Sequence, residues 1–249
     1  MANKCKEKRL AIVPAFNEEK RIASVLEKIR EVDKEIDIVV IDDGSTDSTG
    51  LKSKLAGAKV VRLSSNMGYG VAIQTGYKYA LEKGYDYVVQ LDSDGQHDPA
   101  YIPQMLGATM SGDADVVIGS RFLGEKTVLE TAVAGYEVGA ARRLGIRLFA
   151  FVTSKLIGLK ISDPTSGYRA LNKRVLAFLM NDFFPYDYPD ADVIVLVHRA
   201  GFKIRELPMA MHDRATGTSM HSGLRPVYYI FKIFLSMLMT LLRKKPSLP

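Results

Sequence analysis

The fold is decided by one stretch, Val-Val-Gln-Leu-Asp-Ser-Asp-Gly-Gln-His-Asp-Pro (88–99), in which an apolar run ends in a turn with two carboxylates. The apolar run predicts a buried strand, and Asp92 and Asp94 follow it. Open α/β sheets bind ligands at the carboxyl ends of their strands, where Mg²⁺ or Mn²⁺ takes one or two carboxylates plus substrate phosphates. Asp, Ser and Gly are also ordinary turn residues. The two carboxylates alone therefore leave a metal site and a polar turn as alternatives.

The composition is that of an ordinary globular protein. The 249 residues, 47% hydrophobic and 25% charged, suffice for one large domain or two small ones. The single cysteine, Cys5, excludes a disulfide framework and favours a reducing compartment, and we expect no signal peptide because residues 1–9 lack an apolar run. The net charge of +6 suits nucleotides or an anionic membrane surface. No DNA-binding spacing accompanies this charge, so nucleic acid is not an expected partner.

Strands and helices alternate through the first half of the chain. Ile22, Val25, Leu26 and Ile29 have the spacing of one face of a helix. Apolar runs predict strands at 10–13, 36–41, 59–63 and 85–91, with a further helix at 72–82. This alternation with short connections predicts an α/β fold with a mostly parallel, doubly wound sheet.

The second half is less regular. Helices are predicted at 101–110, 140–159 and 188–201, strands at 115–119 and 202–207, a turn-rich loop at 163–169, and no element at 123–135. No repeats or low-complexity runs occur, and the four histidines lack the spacing of a zinc site.

The C-terminal segment is predominantly apolar. From Pro226 to Leu242 only Lys232, Ser236 and Thr240 are clearly polar, and they lie four residues apart, on one narrow stripe of a helix. Its length of about 25 Å falls short of the roughly 30 Å core of a bilayer. Three alternatives remain: an amphipathic helix in the membrane interface, a helix packed in a homo-oligomer or on the main domain, and a true span. We predict a main domain at 1–222 and a C-terminal apolar helix at 223–249, whose basic end at 243–245 favours an anionic leaflet.

Polar residues follow each of the first four predicted strands, at 14–18, 42–43, 66–70 and 92–96. A nucleotide requires acceptors for its base and ribose, close backbone approach for its phosphates, and a cation against the phosphate charge. Carboxylates at the first two positions, glycines at the third and paired carboxylates at the fourth meet these needs in order. A single polar turn after a strand is common in α/β proteins, but four of them together predict a nucleotide site with a divalent cation.

Four motifs occur in order: Val-Pro-Ala-Phe-Asn-Glu-Glu (13–19), Val-Ile-Asp-Asp-Gly-Ser-Thr-Asp (40–47), Asn-Met-Gly-Tyr-Gly (66–70) and Leu-Asp-Ser-Asp-Gly-Gln-His (91–97). With them the chain resembles the inverting nucleotide-sugar glycosyltransferases of family 2, which have the GT-A fold. Three further motifs look like those of the dolichyl-phosphate mannose synthases and their polyprenyl-phosphate relatives: Gly-Ser-Arg (119–121), Asp-Pro-Thr-Ser-Gly-Tyr-Arg (163–169) and Arg-Ala-Thr-Gly-Thr-Ser (214–219). The resemblance covers roughly residues 10–220.

The resemblance implies a role for each motif. The residues that would hold the nucleotide are Pro14, Phe16, Glu18, one of Asp42 or Asp43, Asn66 and Gly70. Asp92 and Asp94, with Gln96 nearby, would coordinate Mg²⁺ or Mn²⁺ against the donor diphosphate. The acceptor phosphate would meet Arg121, one of Arg142 or Arg143, and Arg214 and Ser219 in the loop before the last helix. An arginine fork matches phosphate geometry, although ordinary solvated charge is the alternative for Arg121 and the Arg142–Arg143 pair.

Asp192 lies nine residues before Gly201, where many relatives carry an acidic residue. A carboxylate there deprotonates a hydroxyl acceptor, whereas a phosphate acceptor is already an anion and needs no base. Asp192 is therefore a base only for a hydroxyl acceptor, and it is otherwise structural or positions the acceptor. Asp163 is expected to shape its loop.

The resemblance predicts an inverting, metal-dependent glycosyltransferase that moves a sugar from a UDP- or GDP-sugar to a polyprenyl phosphate. We expect it at the cytoplasmic face of a membrane, attached peripherally through the C-terminal helix. One alternative is a soluble glycosyltransferase that extends a glycan with Asp192 as general base. Another is a nucleotide-sugar binding protein without turnover.

Overall fold

The computed structural model describes residues 7–123, 140–180, 184, 189–212 and 225–242, with only the backbone described at 140–144, 225–231, 233 and 234. Its strands are β1 (Arg9–Ala15), β2 (Asp37–Asp42), β3 (Lys59–Arg62), β4 (Tyr87–Gln90), β5 (Val116–Ser120), β6 (Arg169–Asn172) and β7 (Ile204–Pro208). Its helices are α1 (Ile22–Val32), α2 (Thr49–Leu55), α3 (Tyr69–Glu82), α4 (Ile102–Met110), α5 (Ala140–Ile157), α6 (Lys173–Leu179), α7 (Ala191–Arg199) and α8 (Arg225–Leu242), with a single 3₁₀ turn at Pro99–Tyr101.

The described strands form one sheet in the order β3-β2-β1-β4-β6-β5-β7. All strand pairs are parallel except the two made by β6, which runs antiparallel to β4 and β5. The predicted mostly parallel α/β sheet is confirmed. Its order places β2, β1 and β4 side by side, so their carboxyl ends meet at one edge of the sheet.

Helices cover both faces of the sheet. Ile22, Val25, Leu26 and Ile29 of α1 are buried, as their spacing predicts, in a core shared with α4. The opposite core contains α3, α6 and α7, and α5 and α8 each pack against α7. Within the described ranges, no helix combines the length and apolar character needed to cross a bilayer.

The prediction that the first strand ends at residue 13 is wrong by two residues, because β1 continues through Pro14 to Ala15. The carbonyl of Ile12 points toward β4 and accepts from the Leu91 N–H. The carbonyl of Ala15 points toward β2 and accepts from the Asp43 N–H. Because alternate residues face the same neighbour, the nitrogen of Pro14 faces the side where β4 has already ended. A proline, which cannot donate, therefore costs the sheet no hydrogen bond at this position.

The predicted loop at 163–169 and the residues after it contain the main error. Arg169 begins β6, and Asn172 caps α6 by accepting from the Val175 N–H at 3.1 Å. A four-residue strand with a charged first residue has too little apolar pattern to be recognised. Two predicted helices are also shorter than expected: α5 ends before Gly158, which has φ +68°, and α7 covers 191–199 instead of 188–201. The domain division at residue 222 stays a prediction.

Candidate functional site

The exits of β1 and β2 are joined by hydrogen bonds. Asn17 lies in the left-handed region with φ 55°, a conformation that asparagine tolerates better than most residues. Its Oδ1 accepts from the Thr46 N–H at 2.9 Å, and its own N–H donates to Ser45 Oγ at 3.0 Å. Phe16, immediately before it, leaves 41% of its surface exposed. The exits thus form one fixed surface with an open aromatic ring.

The two carboxylates at the end of β2, Asp42 and Asp43, are both buried, and each accepts hydrogen bonds from backbone N–H groups. Asp43 accepts from the N–H groups of Met67 at 2.7 Å and Gly68 at 2.9 Å. Asp42 Oδ1 accepts from the Ser45 N–H at 2.9 Å, while its Oδ2 accepts no hydrogen bond from the described part of the chain and lies 3.8 Å from an Arg62 nitrogen. Asp43 therefore ties the 66–70 loop to the exit of β2, a role that sequence reasoning missed.

The remaining predicted nucleotide residues lie at the end of β1, just after it, and after β3. Glu18 forms an ion pair with Arg21 at 2.6 Å. Pro14 and Gly70 are buried, and Asn66 is exposed. Only Phe16 and Asn66 therefore present a largely open surface to a nucleotide.

The Asp-Ser-Asp turn follows β4 at the centre of this edge. Gly95 has φ 79°, and Asp94 Oδ1 accepts from the Gln96 N–H at 3.0 Å, which closes the turn. The Asp92 side chain is 36% exposed. In the described residues no three His, Cys, Asp or Glu side chains gather as a metal cluster. Two carboxylates and one amide still fit a cation that shares its coordination with substrate phosphates, as Mg²⁺ and Mn²⁺ do.

His97 binds the backbone at the start of this turn. Its Nδ1 accepts from the Asp92 N–H at 3.0 Å, and its buried ring stacks on Tyr168 with centroids 4.9 Å apart. Since Nδ1 is an acceptor, the imidazole carries its proton on Nε2. The Asp92 Oδ2 atom, 3.7 Å from Nδ1, therefore forms no ion pair with it. His97 therefore positions the backbone of Asp92.

Arg121 forms a fork with a fully buried carboxylate. Its Nε and Nη2 donate to Asp163 at 2.6 and 2.7 Å, and Nη2 also donates to Thr165 at 2.9 Å. The Arg121 side chain is only 10% exposed. Asp163 itself is held by Glu206, which accepts from its N–H at 2.9 Å. The expectation that Asp163 shapes its loop agrees with this geometry, which also fixes the guanidinium of Arg121.

Asp192 is enclosed by the C-terminal helix. It is 2% exposed, Ser236 of α8 donates to its Oδ2, and the Val193 N–H donates to Oδ1 at 2.8 Å. Burial raises the pKa of the Asp192 carboxyl to about 6, and the Ser236 hydrogen bond opposes this rise. Arg199 further joins α7 to α8 through the Leu241 carbonyl at 2.7 Å. No sequence pattern indicates the contact between Asp192 and Ser236.

Arg169 is a buried connector between the 163–169 loop and the start of α7. Its guanidinium donates to the carbonyls of Ser166 at 2.9 Å, Pro189 at 2.7 Å and Asp190 at 3.2 Å. An arginine can satisfy several carbonyls at once because its five N–H groups point in fixed directions. The loop that holds Arg121 is thereby fixed to the helix that carries Asp192.

Some predicted acceptor residues lie outside the described residues. Arg214 and Ser219 do so, and α5 is described around Arg142 and Arg143 only as backbone. His212, the last described residue of this segment, contacts the Asp-Ser-Asp turn and the residues after it: its N–H donates to the Gln96 carbonyl at 2.9 Å, and its Nε2 lies 3.3 Å from Asp98.

Comparisons with known proteins agree with this architecture. The sequence model for glycosyl transferase family 2 matches residues 10–179. The polyprenol monophosphomannose synthase of Mycolicibacterium smegmatis is 32% identical over 91% of this chain and 86% of that protein. The UDP-N-acetylglucosamine–dolichyl-phosphate N-acetylglucosaminyltransferase of Methanococcus voltae is 28% identical over 92% of this chain and 94% of that protein.

A solved structure shows the same fold. Glucosyl-3-phosphoglycerate synthase from Mycobacterium tuberculosis, in complex with Mn²⁺, UDP and glucosyl-3-phosphoglycerate, superposes with a TM-score of 0.68 at 19% identity. The match covers 94% of this chain and 80% of that one. The chain is therefore a glycosyltransferase of family 2 with the GT-A fold, as its motifs predict.

Proposed function

We propose that this chain is an inverting, metal-dependent glycosyltransferase that transfers a sugar from a nucleotide diphosphate to a polyprenyl phosphate. The observation that carries the proposal is the Asp92–Asp94 turn, partly exposed at the sheet edge where the exits of β1 and β2 also lie. Relatives that act on polyprenol and dolichyl phosphates support the acceptor class. They differ in the sugar, so donor identity is left to experiment.

The donor would lie across the strand exits. Phe16 and Asn66 offer exposed surface to the nucleoside. Pro14, Glu18, Gly70 and one of Asp42 or Asp43 complete its site. Asp92, Asp94 and Gln96 would hold Mg²⁺ or Mn²⁺, which neutralises charge on the leaving diphosphate when bound. The Mn²⁺ and UDP in the mycobacterial structure support a divalent cation.

The acceptor phosphate would contact arginines on the other side of the Asp92–Asp94 turn. Arg121 is held in a fixed orientation by Asp163, which reduces the conformational entropy lost when it binds an anion. Arg142 or Arg143, Arg214 and Ser219 are proposed to complete this site. Such a pocket recognises an oxygen nucleophile that is already charged.

The state of Asp192 favours a phosphate acceptor over a sugar hydroxyl. A general base must reach the proton that it removes, but Asp192 is almost fully buried and both of its oxygens accept hydrogen bonds. A phosphate monoester anion attacks without a base. The glycan-extending alternative requires Asp192 to lose its contact with Ser236.

Membrane attachment is proposed through two helices that pack against α7. On α8 the exposed residues Leu235, Leu238, Met239 and Leu242 share one face at spacings of three and four. On α5, Phe151 is exposed with Lys155 Nζ 5.9 Å above its ring, and Leu148 is exposed one turn earlier. An apolar face with cations beside it suits an anionic lipid surface.

Vesicle sedimentation tests this attachment. We expect the protein to bind phosphatidylglycerol-containing vesicles more strongly than neutral ones, and Leu238→Glu to reduce that binding at least tenfold. Leu51→Glu is the matched control, because Leu51 is also exposed but lies on α2, away from α7. Equal loss in both variants, or undiminished binding by Leu238→Glu, would refute the proposed membrane face.

Product analysis tests the proposed reaction. The protein is supplied with radiolabelled UDP- and GDP-sugars, Mn²⁺, and either undecaprenyl or dolichyl phosphate or oligosaccharide acceptors. We expect label in a lipid-extractable product, and Asp192→Asn to retain a near-normal rate. Label only in oligosaccharide, with a loss of several orders of magnitude in Asp192→Asn, would establish the glycan-extending alternative instead.

A further inference from the structure

The phenol of Tyr69 contacts the first carboxylate of the Asp92–Asp94 turn. Tyr69 is the first residue of α3, and its hydroxyl donates to Asp92 Oδ1 at 3.1 Å. The loop that brings it there is held by Asp43, which accepts from the N–H groups of Met67 and Gly68. The position of the phenol is therefore determined by the exit of a neighbouring strand.

Gly167 packs against both the Tyr69 hydroxyl and the Asp92 carboxylate. A methyl group on Gly167 would lie 2.8 Å from the Tyr69 hydroxyl and 3.3 and 3.4 Å from the two Asp92 oxygens. The glycine is held in place because Gln90 Nε2 donates to its carbonyl at 2.8 Å. A side chain at residue 167 would thus displace the phenol, the carboxylate or both.

Asp92 is consequently fixed at two points. His97 Nδ1 accepts its backbone N–H at 3.0 Å, and Tyr69 donates to its side chain. Neither His97 nor Tyr69 donates to Oδ2.

We propose that Tyr69 is a positioning residue for the divalent cation, holding Asp92 Oδ1 so that Oδ2 is presented to the metal. The inference rests on the proposed metal-dependent function and adds a residue to it. A hydrogen bond to a ligating carboxylate restricts its rotation, and loss of such an outer contact typically weakens metal binding by about 10–100-fold.

Mn²⁺ titration monitored by electron paramagnetic resonance tests this role, with the full chain in the presence of UDP or GDP in separate arms. We expect Tyr69→Phe to raise the Mn²⁺ dissociation constant about tenfold. The matched control is Tyr85→Phe, which removes a partly buried phenol–carboxylate hydrogen bond of 2.9 Å to Asp37 at the other edge of the sheet. We expect the control to bind Mn²⁺ as the unaltered chain does.

Two further readouts separate positioning from general damage. Excess Mn²⁺ should restore the sugar-transfer rate of Tyr69→Phe, which it would not do for a structural defect. Gly167→Ala retains the hydroxyl but crowds it, and we expect it to weaken Mn²⁺ binding as well. Unaltered Mn²⁺ affinity in Tyr69→Phe would overturn the role of Tyr69, whatever Gly167→Ala does, while leaving the metal site intact. Absence of Mn²⁺ binding by the unaltered chain would overturn the proposed metal site and this role together.

Discussion

Replacement of Asp192 by asparagine should change how the stability of the protein depends on pH. Burial raises the pKa of this carboxyl from 3.8 to about 6 in the folded protein. Between about pH 4 and pH 6 the folded state therefore keeps a proton that the unfolded state loses. In this interval Asp192 makes the protein less stable as the pH rises, and above pH 6 its penalty is constant.

The size of the effect follows from the change in pKa. Each pH unit between the two pKa values corresponds to roughly 1.4 kcal/mol, so Asp192 lowers the free energy of unfolding by about 3 kcal/mol above pH 6. An asparagine carries no charge at any of these pH values. The difference in stability between Asp192→Asn and the unaltered chain should therefore shift by about 3 kcal/mol in favour of the variant from pH 4 to pH 7.

Urea unfolding followed by circular dichroism measures this difference at several pH values. The asparagine side chain has one acceptor oxygen where the carboxylate has two. The resulting change in hydrogen bonding is independent of pH and only offsets the curve. Glu82→Gln serves as control, since Glu82 is an exposed carboxylate on α3. Parallel pH curves for Asp192→Asn and the unaltered chain would refute the reasoning.

Two further predictions concern contacts across the site. Asp163→Ala leaves the guanidinium of Arg121 without its buried carboxylate, and urea unfolding should show a loss of about 3–5 kcal/mol in the free energy of unfolding. The control Asp113→Ala, at an exposed ion pair, should change the free energy of unfolding by under about 0.5 kcal/mol. Equal losses in the two variants would contradict this prediction. Ser236→Ala removes a hydrogen bond that lowers the pKa of Asp192. The pH above which Asp192 no longer changes the free energy of unfolding should therefore move above 6. If this pH is unchanged or lower in the variant, the prediction is contradicted.

Local pattern accounts for most of the fold. The spacing of Ile22, Val25, Leu26 and Ile29 predicts α1 because a helix on a sheet must bury one face, and all four are buried. The apolar runs of β1 and β2 are similarly readable because both faces of a parallel sheet are covered. β6 was missed because its partners are set by the sheet and not by its own four residues.

The site was predictable in its position but not in its contacts. Four polar strand exits indicate one edge of a sheet, since parallel strands end on the same side. The pairs Arg121–Asp163 and Asp192–Ser236 are separated by 42 and 44 residues, and single residues so far apart carry no pattern that joins them. Tyr69 was missed for the same reason, because its partner Asp92 lies on a different strand exit.

The most direct test of the central claim is the rate of sugar transfer to polyprenyl phosphate as a function of free Mn²⁺, measured for the unaltered chain and Asp92→Ala. The account expects a lipid-linked product whose formation stops with EDTA, returns with Mn²⁺, and falls by at least 100-fold in Asp92→Ala. Lipid-linked product formed equally in EDTA, or at an equal rate by Asp92→Ala, would contradict the metal role of the Asp92–Asp94 turn.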